Sequence, residues 1–275
     1  MSGFDCHVHI VDPARHPLPA DAPRVPDPAE HASAGDLDRT LAQAGLTAAL
    51  LVQPSPYRDD NAALLGALAH AGGRHRAIAA LSPRMDEATL DTLAAAGVVG
   101  VRLNLVNFDL RDLAGPALCA FLERLSARDW WVELQCRAPA FPEVVPLLAP
   151  SGVRILFDHC GYPDLPLGPD EPGFRAILRH AETGRAAIKL SGAFRLSMAP
   201  YPHPDLDPFV AAVLAAFGTD RCVWGSDYPF IFAVRRPSHA ASLAMLARWL
   251  PDPAARQTVM VDAPVRLFGF DRPER

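Results

Sequence analysis

The sequence predicts an α/β fold in which eight parallel strands close into a (β/α)8 barrel. Short runs of β-branched and aliphatic residues alternate eight times with longer Ala- and Leu-rich runs of helical spacing. Many of the helical runs end at a glycine, which tolerates the positive φ that helix ends favour. The chain has 275 residues. A barrel of this kind uses about 250, which leaves room for one further helix.

The strand-like runs recur at regular intervals. Strands are expected at residues 4–10, 47–54, 75–82, 98–105, 130–136, 153–160, 185–192 and 221–229. Helices are expected at residues 36–44, 61–71, 86–96, 116–127, 141–148, 173–182, 206–217 and 238–250. A doubly wound open sheet would use the same alternation. However, the first strand is not followed by GxGxxG, and eight units favour closure.

Two segments fall outside the alternation. Residues 13–28 (PARHPLPADAPRVPDP) contain too many prolines for a helix. They are predicted as an extended loop after strand 1, at the active-site end of the barrel. Residues 252–268 predict an extra C-terminal helix. The whole chain, residues 1–275, is expected to form a single domain.

The composition excludes several classes of protein. Half of the residues are hydrophobic and the formal net charge is -5, with Lys and Arg scattered along the chain, so nucleic acid is not an expected partner. The sequence contains neither a leader peptide nor a run of about 18 apolar residues, so a soluble cytoplasmic protein is expected. The five cysteines are odd in number and lack a CxxC pair, which favours reduced thiols that pack in the core.

Polar side chains are concentrated at the predicted strand ends. Successive side chains of a strand alternate between its faces, so His7 and His9 point to the same side of strand 1. In barrels of this type the chemistry lies at the carboxyl ends of the strands. The other polar residues predicted there are Gln53, Arg102, Asn104, Gln135, Asp158, His159, Lys189 and Asp227.

Each of these residues also has a structural interpretation. A single histidine such as His159 is more often a hydrogen-bonded core residue than a catalyst, and Asp227 could cap the turn before Pro229. The histidine pair of strand 1 is more specific, since two polar rings aimed into a barrel need partners there. Lys189 and Arg195, which lies just beyond strand 7, compete for one anion-binding role. Arg195 is favoured because a planar guanidinium matches a carboxylate.

Four motifs occur in order at the spacing of barrel strands: DCHVHIVDP, VRLNL, FDHCGYPD and WGSDYPF. On these motifs the chain resembles the amidohydrolase superfamily, in particular its branch of lactone hydrolases. That branch includes 2-pyrone-4,6-dicarboxylate lactonases, 4-sulfomuconolactonases and sugar lactonases. The resemblance extends over almost the whole chain, including VQPSPYRDDNAALL and APVRLFGF. It implies a hydrolase that opens the ring of a carboxylated lactone.

The wider superfamily implies a metal ion held by the strand 1 HxH, a strand 5 histidine and a strand 8 aspartate. This chain has Gln135 on strand 5, and a neutral amide is a poor substitute for imidazole toward zinc. His7, His9 and Asp227 would still make a three-ligand set for Zn or Mn. Because relatives in the lactonase branch are thought to work without a metal, metal-independent chemistry with no cofactor is favoured.

The resemblance also implies a mechanism. Asp227 would take a proton from water as general base. His7, His9 and His159 would surround the lactone carbonyl and stabilise the negative charge that develops on its oxygen.

Substrate recognition is implied for Arg102 and Arg195, which would hold a carboxylate of the substrate. The predicted set of substrate contacts is completed by Asn104, Gln135, Gln53 and Lys189. Pyrone dicarboxylate lactonases use a further arginine six residues after the strand 4 arginine, where this chain has Phe108. This difference puts a dicarboxylate in doubt and leaves a monocarboxylate lactone or a sugar lactone open.

Two rival functions remain at this point. A Zn- or Mn-dependent decarboxylase or amide hydrolase of the same superfamily would use the same histidines. A barrel that has lost catalysis could act as a binding protein, but the presence of Asp227 together with the HxH argues against it. The expected partner is a small-molecule substrate, and the amphipathic outer helices leave a homo-oligomer open.

Overall fold

The computed structural model describes residues 3–106 and 115–273. Eight parallel strands pair in chain order in one sheet, which confirms the predicted barrel. The strands are β1 (Phe4–Val8), β2 (Ala48–Val52), β3 (Arg76–Ala79), β4 (Val98–Asn104), β5 (Trp131–Gln135), β6 (Arg154–Phe157), β7 (Ala186–Leu190) and β8 (Cys222–Trp224).

The barrel closes where β1 meets the chain that follows β8. The backbone N–H of His9 donates to the carbonyl oxygen of Tyr228 at 2.8 Å, and the N–H of Asp227 donates to the carbonyl oxygen of His7 at 2.8 Å. A β-bridge also joins Val8 to Tyr228. This closure seam therefore brings the strand 1 histidines beside Asp227 through main-chain hydrogen bonds.

Helices connect the strands on the outside of the barrel. They are α1 (Ala34–Ala44), α2 (Ala62–Ala71), α3 (Glu87–Ala95), α4 (Pro116–Ala127), α5 (Phe141–Leu148), α6 (Pro172–His180), α7 (Ala193–Leu196), α8 (Asp207–Phe217), α9 (His239–Trp249), α10 (Pro253–Gln257) and α11 (Ala263–Phe268). Helix α1 begins at Ser33, whose side chain accepts from the N–H of Asp36 at 3.2 Å. It ends at Gly45, whose φ of 70° suits a residue without Cβ.

The core lies between the strands and the helices. All five residues of β2 (AALLV) are buried, as expected for a parallel strand that is covered on both faces. The indole N–H of Trp131 donates to the carbonyl oxygen of Leu267 at 2.9 Å, which ties the barrel to α11. Four of the five cysteines are buried free thiols, and Cys119 is exposed.

Several boundaries differ from the sequence prediction. Residues 252–268 form α10, a π-helical turn (Thr258–Asp262) and α11 instead of one helix. Pro264 has no N–H, so the regular bond to the carbonyl four residues earlier cannot form, and a wider turn precedes it. Strands β1 and β8 are shorter than predicted, which leaves His9 and Asp227 just beyond the strand ends.

The predicted extended loop leads from β1 toward a 3-10 turn (Pro28–Glu30). The backbone N–H of Phe232 donates to Glu30 Oε1 at 2.6 Å, which anchors the end of this loop to the segment after β8. Within residues 3–106 and 115–273, no helix has the length and apolar character needed to cross a bilayer.

Candidate active site

The structure brings the predicted polar residues to the carboxyl end of the barrel. The strands themselves carry His7, Arg102, Asn104, Gln135 and Lys189. The segments that follow the strands carry His9, Gln53, Asp158, His159, Arg195 and Asp227. Parallel strands point their carboxyl ends to one rim, which is why residues so distant along the chain meet here.

A cavity of about 490 Å³ opens at this end of the barrel. Its size is within the roughly 300–1,000 Å³ of sites that enclose small molecules. The predicted residues that line it are His9, Arg102, Asn104, Gln135, His159, Arg195 and Asp227. His7 is fully buried immediately behind this lining.

The Asp227 carboxylate lies fully buried at the centre of the site. Arg195 donates through Nε to Oδ2 and through Nη2 to Oδ1, the latter at 3.0 Å. His9 Nε2 lies 3.4 Å and His7 Nε2 3.8 Å from Oδ1, while His159 Nε2 lies 3.7 Å from Oδ2. One carboxylate is thus surrounded by three imidazoles and a guanidinium.

Hydrogen bonds assign the tautomers of the strand 1 histidines. The Val52 carbonyl oxygen can only accept, so His9 Nδ1, at 2.8 Å, carries the proton and neutral His9 presents a lone pair at Nε2. His7 Nε2 lies 3.3 Å from His9 Nε2 and is therefore the donor of that pair. Its Nδ1 lies 3.0 Å from Lys189 Nζ and 3.2 Å from Asp158 Oδ1. With His9 Nε2 as the acceptor, the Nε2 proton of His7 is on the side that faces Asp227.

A buried charge cluster, formed by Arg102, Glu133, Asp158 and Lys189, lies beneath the cavity. Lys189 Nζ donates to Glu133 and lies 3.3 Å from Asp158 Oδ1. Arg102 Nη2 donates to Asp158 Oδ2 at 3.3 Å, and its Nε lies 3.4 Å from Glu133 Oε1. The two cations and two carboxylates balance one another. Sequence reasoning missed Glu133, although a carboxylate within the apolar run WWVELQC was a usable signal.

Burial and pairing shift the titrating groups. Burial lowers the pKa of His159 to about 4, and it also lowers the pKa of His7 and of His9. Burial opposes ionisation of Asp227, but the guanidinium of Arg195 outweighs it and holds the pKa of this carboxyl well below its usual range. Near neutral pH the site therefore consists of neutral imidazoles around an ionised carboxylate.

The loop after β6 holds His159 in an unusual backbone conformation. His159, Cys160, Gly161 and Tyr162 have φ values of 44°, 56°, 81° and 51°, four consecutive residues in the left-handed region. Three of them have a Cβ, which costs about 1–2 kcal/mol each there. His159 Nδ1 bonds to Ser191 Oγ at 2.9 Å. Such strain is often retained where it places a functional side chain.

Two predicted substrate contacts do not line the cavity. Lys189 is fully buried in the charge cluster, so it is not exposed to a ligand in this conformation. The amide of Gln53 donates to the carbonyl oxygens of Arg58 at 3.2 Å and Asp60 at 2.7 Å, which holds the loop after β2. The position discussed for a further arginine, Phe108, lies outside the described residues.

The cavity is also lined by two arginines that sequence reasoning missed. Arg24, from the extended loop, has its Cζ 4.1 Å from the ring centroid of Phe232. Arg137, from the loop after β5, has its Cζ 5.6 Å from the ring centroid of Tyr162. Arg137 had a signal, because it follows Gln135 by two positions and extended chain repeats its faces every two residues. For Arg24 the sequence offered no signal except its position in the extended loop.

Two of the three separations within the donor set at the seam match those of a metal site, and the third is slightly longer. His7 Nε2, His9 Nε2 and Asp227 Oδ1 are separated by 3.3, 3.4 and 3.8 Å. A tetrahedral zinc ion with ligands at about 2.0–2.2 Å separates them by roughly 3.3–3.6 Å. These three residues could therefore hold Zn or Mn. The charge is less suitable, because Arg195 already contacts both Asp227 oxygens and would repel a second cation.

A second group of candidate ligands comprises His7, Glu133 and Asp158. In this group the ammonium of Lys189 contacts all three residues. The lysine thus supplies the positive charge that a metal ion would otherwise bring to this position.

Comparison with known proteins places this chain in a family. A family model described as amidohydrolase matches residues 4–270. The chain belongs to the amidohydrolase family. The family resemblance read from the four motifs is therefore confirmed.

This amidohydrolase has relatives that act on lactones, as their names state. It is 30% identical to a D-galactarolactone isomerase of Agrobacterium fabrum (strain C58), covering 85% of this chain and 80% of the relative. It is 29% identical to a 4-sulfomuconolactone hydrolase of Rhizobium radiobacter, covering 97% of this chain and 89% of the relative. A crystal structure from Acinetobacter baumannii, described as a probable 2-pyrone-4,6-dicarboxylic acid hydrolase with citric acid bound, has a TM-score of 0.89 at 26% identity, covering 98% and 100% of the two chains.

Proposed function

We propose that this amidohydrolase opens the ring of a carboxylated lactone, with Asp227 activating the attacking water. The observation that carries the proposal is a buried, ionised carboxylate surrounded by neutral imidazoles, at the wall of a cavity that is rich in guanidinium groups. Two relatives are named as a D-galactarolactone isomerase and a 4-sulfomuconolactone hydrolase, which supports a lactone with an acidic group.

The chemical steps use groups that already lie close together. Water attacks the lactone carbonyl carbon while Asp227 accepts one of its protons. When the bond between the carbonyl carbon and the ring oxygen breaks, the proton passes from Asp227 to the ring oxygen. The product is an open-chain acid with a new hydroxyl or enol group.

The negative charge that develops on the carbonyl oxygen needs hydrogen-bond donors in a dry setting. His7 carries its proton on Nε2, facing the site. Ser191 Oγ can donate to His159 Nδ1, which leaves the N–H of His159 Nε2 toward Asp227. His7 and His159 are thus the donors, while the lone pair of His9 Nε2 can accept from the attacking water.

Arg195 connects substrate binding to the strength of the base. A carboxylate whose pKa is far below ambient pH is a weak general base. A substrate carboxylate would compete with Asp227 for the fork of Arg195, whose third nitrogen, Nη1, is fixed on the Ile231 carbonyl oxygen at 2.9 Å. As Arg195 turns to the substrate, the pKa of Asp227 rises and its basicity increases.

A metal ion remains the alternative, since His7, His9 and Asp227 fit zinc or manganese in distance. Such an ion would polarise the carbonyl and lower the pKa of its bound water. The metal-free route is favoured by the charges, because Arg195 already contacts both oxygens of Asp227 and the Lys189 ammonium lies 3.0 Å from His7 Nδ1.

The function is tested by a hydrolysis screen over lactones that carry carboxylates, over sugar lactones and over neutral lactones, with a pH indicator as the readout. Acid release from a carboxylated lactone is expected. Products are identified by mass spectrometry and NMR. An isomerised lactone in place of the open-chain acid would contradict a hydrolase.

Removal of metal ions is expected to leave the activity unchanged. The purified protein is dialysed against a strong chelator, its metal content is measured by mass spectrometry, and the rate is compared before and after. The metal-free mechanism is rejected if the protein holds one zinc or manganese ion per chain and activity disappears and returns with that ion. The control is the same treatment of a known zinc hydrolase.

The rate should depend little on pH near neutrality. The value of kcat/KM reports the free enzyme, in which Asp227 is ionised and the imidazoles are neutral, so these groups are expected to produce no break between about pH 6 and 8. It should decline toward pH 4, where His159, with its pKa at about 4, takes up a proton. Spontaneous lactone hydrolysis is subtracted at each pH. A break near the ordinary histidine pKa of about 6.5 would contradict the neutral, buried imidazoles.

A further inference from the structure

The charges that line the cavity are strongly unbalanced. Among the described lining residues, the guanidinium groups of Arg24, Arg102, Arg137 and Arg195 face a single carboxylate, that of Asp227. A wall of this sign favours an anionic ligand.

Two of the four arginines already have internal partners. Arg195 is paired with Asp227, and Arg102 with Glu133 and Asp158. Neither Arg24 nor Arg137 forms an ion pair or a side-chain hydrogen bond with any residue that the structure describes. Their charges are therefore available to a ligand without the loss of an internal ion pair.

Arg137 is the better placed of these two. The N–H of Ala138 donates to the carbonyl oxygen of Tyr162 at 3.0 Å, so the backbone that carries Arg137 is fixed to the loop after β6. The Tyr162 ring beside the guanidinium lies 6.0 Å from the ring of His159. Arg137 therefore stands one aromatic ring away from a donor of the reaction centre.

The backbone of Arg137 also gives its side chain a direction. With φ of -63° and ψ of 135°, the chain is still extended at this position. The side chain consequently leaves on the same side as that of Gln135, which accepts from Arg102 at 2.7 Å. Arg24 comes from the extended loop after β1, and its guanidinium lies closer to its ring, 4.1 Å from the centroid of Phe232.

We propose that Arg137 binds a second anionic group of the substrate, remote from the carbonyl that reacts. The preferred substrate is then a lactone with two acidic groups, one held at Arg195 and one at Arg137. This inference rests on the proposed function for the reaction that follows binding. The binding of a dianionic ligand at Arg137 does not depend on that reaction. The sequence puts a dicarboxylate in doubt because of Phe108, and Arg137 supplies a cation from the loop after β5 instead.

The test measures binding without turnover. Calorimetry compares benzene-1,3-dicarboxylate, a flat ring with two carboxylates, with benzoate, which has one. Arg137→Gln is expected to weaken binding of the dicarboxylate by about tenfold, a typical effect of one lost charge-assisted contact, and to change benzoate binding less than twofold.

Arg84→Gln is the matched control. This arginine is exposed after β3, forms no side-chain contact with the described residues and does not line the cavity, so the variant changes the net charge by the same amount. It should leave both affinities unchanged. Thermal melts verify that the variants fold.

The proposal is overturned if Arg137→Gln weakens both ligands equally or neither, or if Arg24→Gln alone removes the preference for the dicarboxylate. The two proposals fail separately. If Arg137→Gln loses the preference for the dicarboxylate but the protein opens no lactone, the Arg137 site is retained and the hydrolase is rejected. If the protein opens dianionic lactones and Arg137→Gln leaves that rate unchanged, the hydrolase is retained and the Arg137 site is rejected.

Discussion

Replacing Asp227 by asparagine is expected to lower kcat by about 10²- to 10⁴-fold, because the substitution removes the group that takes the proton from water. The amide is close in size to the carboxylate, so the cavity keeps its shape. Loss of the negative charge also frees Arg195 for a substrate carboxylate. Binding of benzene-1,3-dicarboxylate should therefore be as tight as in the wild type or tighter, as measured by calorimetry.

A control substitution separates this effect from a change in overall charge. Asp59 is exposed on the loop after β2, at the same end of the barrel, and does not line the cavity. Asp59→Asn should retain wild-type kcat. Wild-type turnover by Asp227→Asn would show that another group is the base, and weaker ligand binding would show that the carboxylate acts in recognition.

Replacing Lys189 by methionine is expected to destabilise the fold by about 3 kcal/mol or more, the lower end of the range for breaking a buried ion pair. The substitution removes the ammonium between Glu133 and Asp158, both of which are fully buried. Burial and Asp158 raise the pKa of Glu133 to about 7, so this carboxyl can take up a proton and limit the loss. Urea unfolding at neutral pH measures the change in the free energy of unfolding.

The matched control is Arg39→Met. Arg39 pairs with Asp36 on the surface, and its side chain is 69% exposed. Exposed pairs contribute about 0–1 kcal/mol, so this variant should unfold close to the wild type. Adding Glu133→Gln to Lys189→Met should recover part of the stability, because the carboxylate left without its partner is also removed. If Lys189→Met unfolds like Arg39→Met, the cluster does not contribute to stability in the way its burial implies.

The strands and helices could be predicted because each depends on local sequence. The run TAALLVQP has the hydrophobicity of a strand covered on both faces, and β2 lies within it. Helix α4 begins and ends at the predicted residues. The C-terminal helix failed at Pro264, where one missing N–H changes the hydrogen-bond pattern within an otherwise helical run.

The meeting of His7, His9 and Asp227 could also be predicted, since a closed barrel makes the first and eighth strands neighbours. The charge pairings could not. Arg195, a predicted substrate contact, also holds Asp227 in this conformation, and Lys189 pairs with Glu133. Such pairings depend on side-chain rotamers of strands that are far apart in sequence, and periodicity carries no information about them.

The closure seam has a consequence for biosynthesis. The imidazoles of His7 and His9 are synthesised before the proposed general base Asp227, which follows seven further strands along the chain. A nascent or truncated chain that lacks the last strands of the barrel is expected to be inactive. An incomplete chain would therefore not hydrolyse the substrate. During refolding, the recovery of turnover would report when β1 pairs with the segment after β8 and the barrel closes.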